Sequence, residues 1–494
     1  MSQTLYLDPR FGDRAVGSGA SLPRPSGPLA FVLVRSLMVA ALISFAPGRA
    51  HAQAPILPPP SRDPLAIDPS RDMILALGRS SGSAQQFRDA IAEAVRRHPA
   101  IDESFAGARE AAAGRRAARQ TMYPSIDTTL STYRVLSREF SDDPNNIIER
   151  SRAKTRTDAI LSVQQTLVDF GAASSRVAAA SARIRAANAE IDNTADGIAL
   201  RAIGAWYDVF AFNALVRLAE AFVESQRQLR QAVEQRIAQG VSAPGDIARV
   251  DSYIASASTR LAGYRRSRAE AEARFQELFG LPAPPGLMRA STLPAIEGER
   301  MAQGPEPSIP AVRVAEALAE AARREARAIR AETAPLLAAG IDAGRYGVFE
   351  TDRDYDIRAR LTLRMRLFGG IDPQADEARA RAEAAEARAF RVREEAARDA
   401  AIAASDVDAL ERQLVAVEEN YLASRRSRDV LQERFRVARG TLFDVLATED
   451  DYFETAATYI RAVADLDTAR YVLLSRTGRL LAALSIAPTS PVRP

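Results

Sequence analysis

One pattern of residues occurs twice along this chain, and no other feature constrains its fold more. The anchor residues of the first copy recur in the second copy at one of two constant separations. Two proline pairs are separated by 211 residues: Pro99 with Pro310, and Pro124 with Pro335. Four pairs are separated by 198 residues: Phe170-Gly171 with Phe368-Gly369, Arg236 with Arg434, Asp246 with Asp444, and Gly280 with Gly478. The separation changes once, by 13 residues, upstream of Phe170, where a surface loop tolerates a change of length. The sequence therefore predicts two structural repeats.

Long helices are predicted in both repeats. Apolar residues recur every three or four positions over residues 172–239 and 372–437, which is the period of an amphipathic helix. At 1.5 Å per residue each helix would be about 100 Å long, so it needs lateral partners. A short turn follows each one, and antiparallel return helices are expected over residues 244–279 and 443–477. The helical part should therefore be a set of long antiparallel coiled coils.

A period of two residues replaces the helical period upstream of each long helix. From Tyr355 to Leu367 apolar side chains alternate with polar ones, and the polar face carries four arginines. These arginines are Arg358, Arg360, Arg364 and Arg366. Hairpin strands are expected at residues 124–137 and 155–168 in the first repeat, and at residues 335–349 and 354–367 in the second. The predicted fold class is α+β, with two β-hairpins, and hence four strands, in each chain.

These alternating strands have two interpretations. In an ordinary antiparallel sheet the apolar face covers a core and the arginine face meets water. In a transmembrane barrel the apolar face meets lipid and the arginines line the lumen. The barrel is favoured because strands of about 9–11 residues cross an outer membrane and because the sequence offers nothing obvious to cover the apolar face. Open strand edges are forbidden in lipid, so two chains with eight strands or three chains with twelve would have to share one barrel.

The ends of the chain and the junction between the repeats differ from the repeats in composition. An apolar run from Leu29 to Ala46, followed by Ala50-His51-Ala52, is typical of a signal peptide cleaved after Ala52. A buried N-terminal helix is the alternative. Prolines are concentrated before the first repeat and between the two repeats, which predicts extended segments there. The predicted segments are a signal peptide (1–52), a proline-rich N-terminal tail (53–84), repeat 1 (85–281), a proline-rich linker (282–309), repeat 2 (310–479) and a C-terminal tail (480–494).

Composition excludes most kinds of reactive site. The chain has no cysteine and two histidines, so thiol catalysis, disulfides and Cys- or His-based metal sites are not expected. Acidic and basic residues are interspersed, at a net charge of +3, whereas a nucleic-acid-binding domain usually has a clustered basic face. No glycine-rich phosphate loop or nucleophile elbow is visible in the sequence. We therefore expect no enzyme activity, no cofactor, no bound metal and no nucleic-acid partner.

Several motifs occur in a specific order, and most of them occur twice. They are Tyr123-Pro124 before a strand, the strand-to-helix junctions Val168-Asp169-Phe170-Gly171 and Leu367-Phe368-Gly369-Gly370, and the helix turns from Arg236 to Asp246 and from Arg434 to Leu446. In this order they resemble the TolC family of outer-membrane efflux and secretion proteins across almost the whole mature chain. The resemblance implies a homotrimer with a twelve-stranded β-barrel in the lipid of the outer membrane and an α-helical barrel in the periplasm. It also implies docking to a periplasmic adaptor protein and to an inner-membrane ABC exporter or proton-driven pump.

The resemblance places a periplasmic gate at the two helix turns, which include Gly240 and Gly440. Asp246 and Asp444 fall on aspartates that close the tip in the family, and the second of these forms an acidic ring. Three carboxylates at a constriction would attract cations and repel anions. From the residues alone, an alternative is that both aspartates cap the return helices, and the two roles are compatible.

The second turn departs from the pattern of the family. Its usual glycine is Ala438, its usual gating tyrosine is Phe435, and its usual gating arginine is Gly440, with Arg439 adjacent. A further aspartate of the family is replaced by Ala447. We therefore expect a different closed-state latch, in which the arginines of the two turns form new contacts.

The tip sequence Leu442-Phe443-Asp444-Val445-Leu446 resembles that of secretion-type members, as do the Phe-Gly junctions. Type I protein secretion is therefore the favoured function. Multidrug or metal efflux with a proton-driven pump is the alternative, because one fold serves both. A periplasmic coiled-coil scaffold is an alternative of another class.

Overall fold

The computed structural model of this chain describes residues 57–58, 60–61, 63–64, 66–140, 147, 151–290, 309–351, 354–365 and 371–486. The predicted signal peptide, most of the linker and most of the C-terminal tail lie outside these residues, so their boundaries stay predictions. Within the described ranges, no helix is long and apolar enough to cross a membrane.

Both repeats contain a shorter helix, two strands, a long helix and a return helix, in that order. The elements are α1 (Met73–Arg79), α2 (Ala84–Arg97), α3 (Pro99–Gln120), β1 (Ser125–Arg134), β2 (Thr155–Val168), α4 (Ala172–Ala238), α5 (Gly245–Phe279), α6 (Pro310–Ala331), β3 (Leu336–Tyr346), β4 (Tyr355–Arg364), α7 (Ile371–Arg436), α8 (Leu442–Arg476) and α9 (Leu480–Ala483). The prediction of long helices with two β-hairpins in one chain is confirmed.

The duplication is visible in the helix lengths. Helices α3 and α6 each contain 22 residues and each begins with a proline, which suits the first helical position because it needs no amide donor. Helix α4 contains 67 residues and α7 contains 66, so both are about 100 Å long. Helix α4 packs against α3, α5, α6 and α8, while α7 packs against α6 and α8. The two long helices thus have the lateral partners that their length requires.

The main apolar core lies where the N-terminal helices meet α4, α5 and α8. An aromatic cluster forms its centre: the ring of Phe87 lies 5.2 Å from that of Trp206 and 5.5 Å from that of Tyr471. Such aromatic pairs add about 0.5–1.5 kcal/mol each beyond the area they bury. Because Phe87 belongs to α2, Trp206 to α4 and Tyr471 to α8, this core joins both repeats to the N-terminal helices.

Residues 53–84 were predicted to be an extended tail, and this is wrong for residues 69–79. A 3-10 turn, Pro69–Arg71, leads into α1, whose Ile74 and Leu75 are fully buried in the main core. The carboxylate of Asp72 starts α1 by accepting hydrogen bonds from the amides of Ile74 and Leu75 at 2.7 and 2.9 Å. Prolines outside α1 suggested an extended chain, but a cap and two adjacent buried apolar residues are enough to dock a short helix.

The four strands form a single antiparallel sheet in the order β1-β2-β3-β4. Strand β2 pairs with β3 although the helices α4, α5 and α6 intervene in sequence. The two hairpins are therefore neighbours, and β1 and β4 form the edges of the sheet.

Candidate channel surfaces

The register of the sheet places alternate side chains of all four strands on one face. Along one row, Ile126 is paired with Val163, Val163 with Ile341, and Ile341 with Ala359. Neighbouring rows of the same face contribute Leu130, Ala159, Leu161, Ala339, Ala343, Ile357, Leu361 and Leu363. We call this surface the apolar face. It is continuous across both repeats because the register keeps the alternation of each strand in phase with the next.

The apolar face is bare within one chain. The exposed fractions of Ile126, Leu361 and Leu363 are 68%, 68% and 70%. Burying apolar surface contributes about 25 cal/mol per Å², and soluble monomers rarely expose contiguous apolar patches above a few hundred Å². This face therefore needs an apolar environment that a single chain does not supply.

The opposite face is polar and carries the predicted arginines. Arg358, Arg360 and Arg364 lie on it, whereas Arg366 lies outside the described residues. The guanidinium of Arg360 lies 3.2 Å from the carboxylate of Asp342 on β3, and Arg358 pairs with Asp356 on its own strand. Both arginine side chains stay more than half exposed, so the face combines charge with access to water.

The two helix turns have the same backbone geometry, 198 residues apart. The amide of Val241 donates to the carbonyl of Arg236 at 2.9 Å, and that of Arg439 donates to the carbonyl of Arg434 at 2.8 Å. These bonds span six residues and close a Schellman motif, which needs a left-handed residue next to the helix end. Gly240 fills this position in the first turn with φ of 71°, and Ala438 fills it in the second with φ of 62°. The alanine that departs from the family pattern therefore adopts the conformation of a glycine.

The two turns share a small apolar cluster, separate from the main core. Its buried members are Val233, Val250, Phe435, Leu442, Val445 and Leu446, from α4, α5, α7 and α8. Arg236 covers it: one guanidinium nitrogen donates to the carbonyl of Phe435 at 2.8 Å, and the guanidinium carbon lies 4.3 Å from the centre of the Phe435 ring. We call this contact the tip latch. Phe435 needs no hydroxyl for it, because the ring face and the backbone carbonyl are the partners of the arginine.

The aspartates at the turns occupy different positions from those expected of caps. The cap of α8 is Thr441, whose hydroxyl accepts a hydrogen bond from the amide of Asp444 at 3.2 Å. The interpretation of Asp444 as the cap is therefore wrong, and its carboxylate is left on the first turn, partly exposed. The carboxylate of Asp246 accepts from the amide of Ala243 at 3.2 Å, so this aspartate does tie the turn to α5.

Gly440 and Arg439 have distinct roles in the second turn. A Cβ atom at Gly440 would lie 3.0 Å from the backbone nitrogen of Phe435, so the turn folds back onto the helix end at that point. An arginine at this position would require the backbone at Phe435 to shift by a few tenths of an ångström. Arg439 contributes its amide to the Schellman motif, and its side chain is exposed.

A second contact between the two helix hairpins was missed in the sequence. The guanidinium of Arg260 on α5 donates to both carboxylate oxygens of Asp450 on α8, at 2.6 and 3.1 Å. Glu454, one turn further along α8, lies 3.3 Å from the same guanidinium. The partners are 190 residues apart in sequence, and no local pattern marks their pairing. Together with the tip latch, this pair ties the first hairpin to the second.

A buried carboxyl lies close to these contacts. Glu449 on α8 is 2% exposed; one of its oxygens accepts from the amide nitrogen of Gln432 on α7, and the other has no hydrogen-bond partner among the described residues. Burial raises the pKa of Glu449 from 4.5 to about 7, against the opposing effect of Arg428. The carboxyl therefore changes charge near neutral pH.

Comparisons with known proteins agree with this geometry. Residues 90–281 match the model of the family described as outer membrane efflux protein. Among solved structures, the chain is similar to the outer membrane protein VceC of Vibrio cholerae, with a TM-score of 0.69, 18% identity, and coverage of 80% of this chain and 96% of that one. It is also similar to the CmeC outer membrane channel of Campylobacter jejuni (TM-score 0.70, 11% identity, 80% and 86% covered) and to the MtrE outer membrane channel of Neisseria gonorrhoeae (0.64, 18%, 80% and 89%). No curated protein sequence matches the chain.

Proposed function

We propose that this chain is a member of the outer membrane efflux protein family, and that it is one subunit of an outer-membrane channel that serves as the exit duct of a tripartite export system. The sheet carries the proposal. It has a bare apolar face, an arginine face and two edges, which is one sector of a barrel with lipid outside and water inside. The proposed assembly is a homotrimer with a twelve-stranded barrel, from which the helices extend into the periplasm.

The proposed partners follow from this placement. A duct that ends in the periplasm needs a connection to an energised pump in the inner membrane, which in this family is made through a periplasmic adaptor protein. The tip formed by the two helix turns is the part of the chain furthest along the helices from the sheet. We therefore place adaptor docking at the tip and the barrel at the opposite end.

The cargo is the finer part of the proposal. The match of residues 90–281 to the efflux family model supports efflux, and the pump can then be proton-driven. Type I protein secretion through an ABC exporter stays a prediction that depends on the tip sequence from Leu442 to Leu446. Deletion of the gene separates the two: loss of a secreted protein from the medium indicates secretion, whereas greater sensitivity to drugs or metals indicates efflux.

Substitution of the two faces of β4 tests the channel against a periplasmic scaffold. Leu361→Arg puts a charge on the apolar face, which costs about 2–4 kcal/mol near the centre of a bilayer. Thr362→Arg, one residue away, puts the same charge on the arginine face and is the matched control. We expect the control to give a trimer in the outer-membrane fraction that dissociates only on heating, and Leu361→Arg to lose it. Recovery of the wild-type protein in the soluble periplasmic fraction would refute the channel.

The tip is the proposed gate. In a trimer, three copies of Asp444 would form an acidic constriction, with Asp246 and the tip latch holding each subunit closed. We expect Asp444→Ala to lower the cation selectivity of single channels in lipid bilayers, because it removes three carboxylates. Unchanged conductance and selectivity would show that Asp444 does not line the constriction.

A further inference from the structure

The two helix hairpins differ in how deeply they bury one pair of equivalent charged residues. In the first hairpin Arg230 on α4 pairs with Asp251 on α5 at 2.6 Å, and both side chains are more than one third exposed. The equivalent residues, 198 positions later, are Arg428 on α7 and Glu449 on α8, which are 1% and 2% exposed. Buried charges are tolerated only when they are partnered and hydrogen-bonded. The second hairpin must therefore obtain cover and partners that the first hairpin does not need.

The cover comes from the start of the described chain. The guanidinium of Arg428 donates to the carbonyl of Pro58 at 3.2 Å, and the neighbouring Asp429 accepts from the amide of Ser61 at 3.2 Å. Arg428 also donates to Asp429 at 2.7 Å and stacks over the ring of Tyr452 at 4.2 Å. Backbone groups of the N-terminal segment thus satisfy charges that lie between α7 and α8.

A carboxylate fastens the next part of the segment, residues 66–79, which we call the clasp. One oxygen of Asp72 caps α1, as described above. Its other oxygen accepts from the hydroxyl of Tyr421 at 2.8 Å and from the guanidinium of Arg425, both on α7. The Tyr421 hydroxyl lies 3.1 Å from that of Tyr452 on α8. Asp72 is 1% exposed, so undocking of the clasp would leave Arg425 and Tyr421 without this partner in a buried site.

The far end of the clasp is fastened to α8. Arg289 donates to the carbonyl of Gly78 and, at 2.8 Å, to the carboxylate of Asp467. A Cβ atom at Gly78 would lie 2.3 Å from the hydroxyl of Tyr459 and 3.2 Å from a methyl carbon of Val463. The clasp therefore contacts α7 through charges and α8 through close packing, and it has no equivalent at the first hairpin among the described residues.

We infer that the clasp is a lock on the second helix hairpin, and that α7 and α8 must release it before they can move against the first hairpin to open the duct. This inference rests on the proposed channel function. It assigns to Asp72, Arg425 and Tyr421 a role in the closed state, at a distance from the constriction itself. Among the described residues the lock is found on the second hairpin and not on the first, so we expect opening to begin at the second hairpin.

Asp72→Asn tests the charged anchor. An asparagine keeps an oxygen that can cap α1. Its amide nitrogen, however, presents a hydrogen-bond donor to Arg425, where the carboxylate of Asp72 presents an acceptor. The matched control is Asp68→Asn, which alters the exposed cap of the preceding 3-10 turn. Loss of one hydrogen bond to a charged group should raise the open probability of single channels about tenfold, with no change in the control. An unchanged open probability in a variant that still forms the heat-dissociable assembly would overturn the inference.

A reversible cross-link provides the decisive test. The chain has no cysteine, so Gly78→Cys with Val463→Cys introduces a single pair, at positions where a Cβ atom at residue 78 would lie 3.2 Å from the γ-methyl carbon that a cysteine sulfur at residue 463 would replace. Tyr459→Phe is included to remove the hydroxyl that would collide, and the Tyr459→Phe protein alone is the control. We expect the oxidised protein to lose conductance and export, and reduction to restore both. Equal conductance and export in the oxidised and reduced forms would show that the clasp is only structural. If the wild-type protein forms no channel, the proposed function is refuted. If it forms a channel that the cross-link does not affect, only the inference about the clasp is refuted.

Discussion

Exchange of alanine and glycine between the two turns tests whether the duplicated tip stores backbone strain. A left-handed conformation costs a residue with a Cβ about 1–2 kcal/mol, and glycine avoids this cost. Glycine gives back about 0.4–1 kcal/mol because it is freer in the unfolded chain. Ala438→Gly should therefore stabilise the second turn by about 0.5–1 kcal/mol, although it removes a methyl group.

The first turn supplies the reverse experiment in the same molecule. A Cβ atom at Gly240 would contact no other atom within 4 Å, so Gly240→Ala changes backbone strain without a steric clash. It should destabilise the first turn by the same amount, about 0.5–1 kcal/mol. Because the two turns share an apolar cluster, the double exchange should leave the tip close to its original stability.

Native-state hydrogen exchange, read by mass spectrometry on peptides that cover each turn, measures both effects. A change of 1 kcal/mol in local opening alters the exchange rate about fivefold. We expect slower exchange at the second turn of Ala438→Gly and faster exchange at the first turn of Gly240→Ala. Equal rates in wild type and Ala438→Gly, or slower exchange in Gly240→Ala, would refute the assignment of strain to the left-handed residue.

Two further predictions concern the contacts between the helices. The folded-state pKa of Glu449, about 7, lies above its unfolded value of 4.5, so its stabilising contribution is present at low pH and is lost as the pH rises through this interval. The loss of stability is worth at most about 3 kcal/mol. Glu449→Gln should abolish it, so that the melting temperature of the assembly no longer falls between pH 5 and 8. Asp251→Asn, at the equivalent exposed position, is the control and should leave the pH dependence unchanged. Arg260→Ala should leave Asp450 without its partner between the hairpins and raise channel conductance, whereas a wild-type conductance would exclude this pair from the closed state.

Much of the fold was predictable because its signals are local. The alternation of β4 is a property of consecutive residues, and the strand predicted over residues 155–168 has the same bounds as β2. The prolines at the starts of α3 and α6 are equally local. Each of these signals occurs in both repeats, so the prediction from one repeat was supported by the other.

The candidate site was less predictable because its contacts are distant in sequence. Asp72 and Tyr421 are 349 residues apart, and a buried aspartate in a proline-rich segment reads as part of a tail. The partners of Phe435 could not be predicted from the residue type, because the tyrosine that is usual at this position would be expected to form a hydrogen bond through its hydroxyl, which phenylalanine lacks. In this structure the ring face and the carbonyl make the contact with Arg236.

The strand order has a consequence for how a barrel of such chains is assembled. Three of the four seams per subunit lie within one chain, where loops and the apolar alternation determine how far one strand is shifted against the next. In the proposed trimer the fourth seam would join β4 to β1 of the neighbouring copy, with no covalent link across it. The stagger of this seam would depend on which side chains of β4 and β1 pair across it. Asp127 on β1 lies on the same face of the sheet as the arginines of β4 and could pair with them. In the proposed barrel, the three seams within each chain would contribute a fixed stagger, and the seam between subunits would complete the shear, and with it the diameter, during assembly.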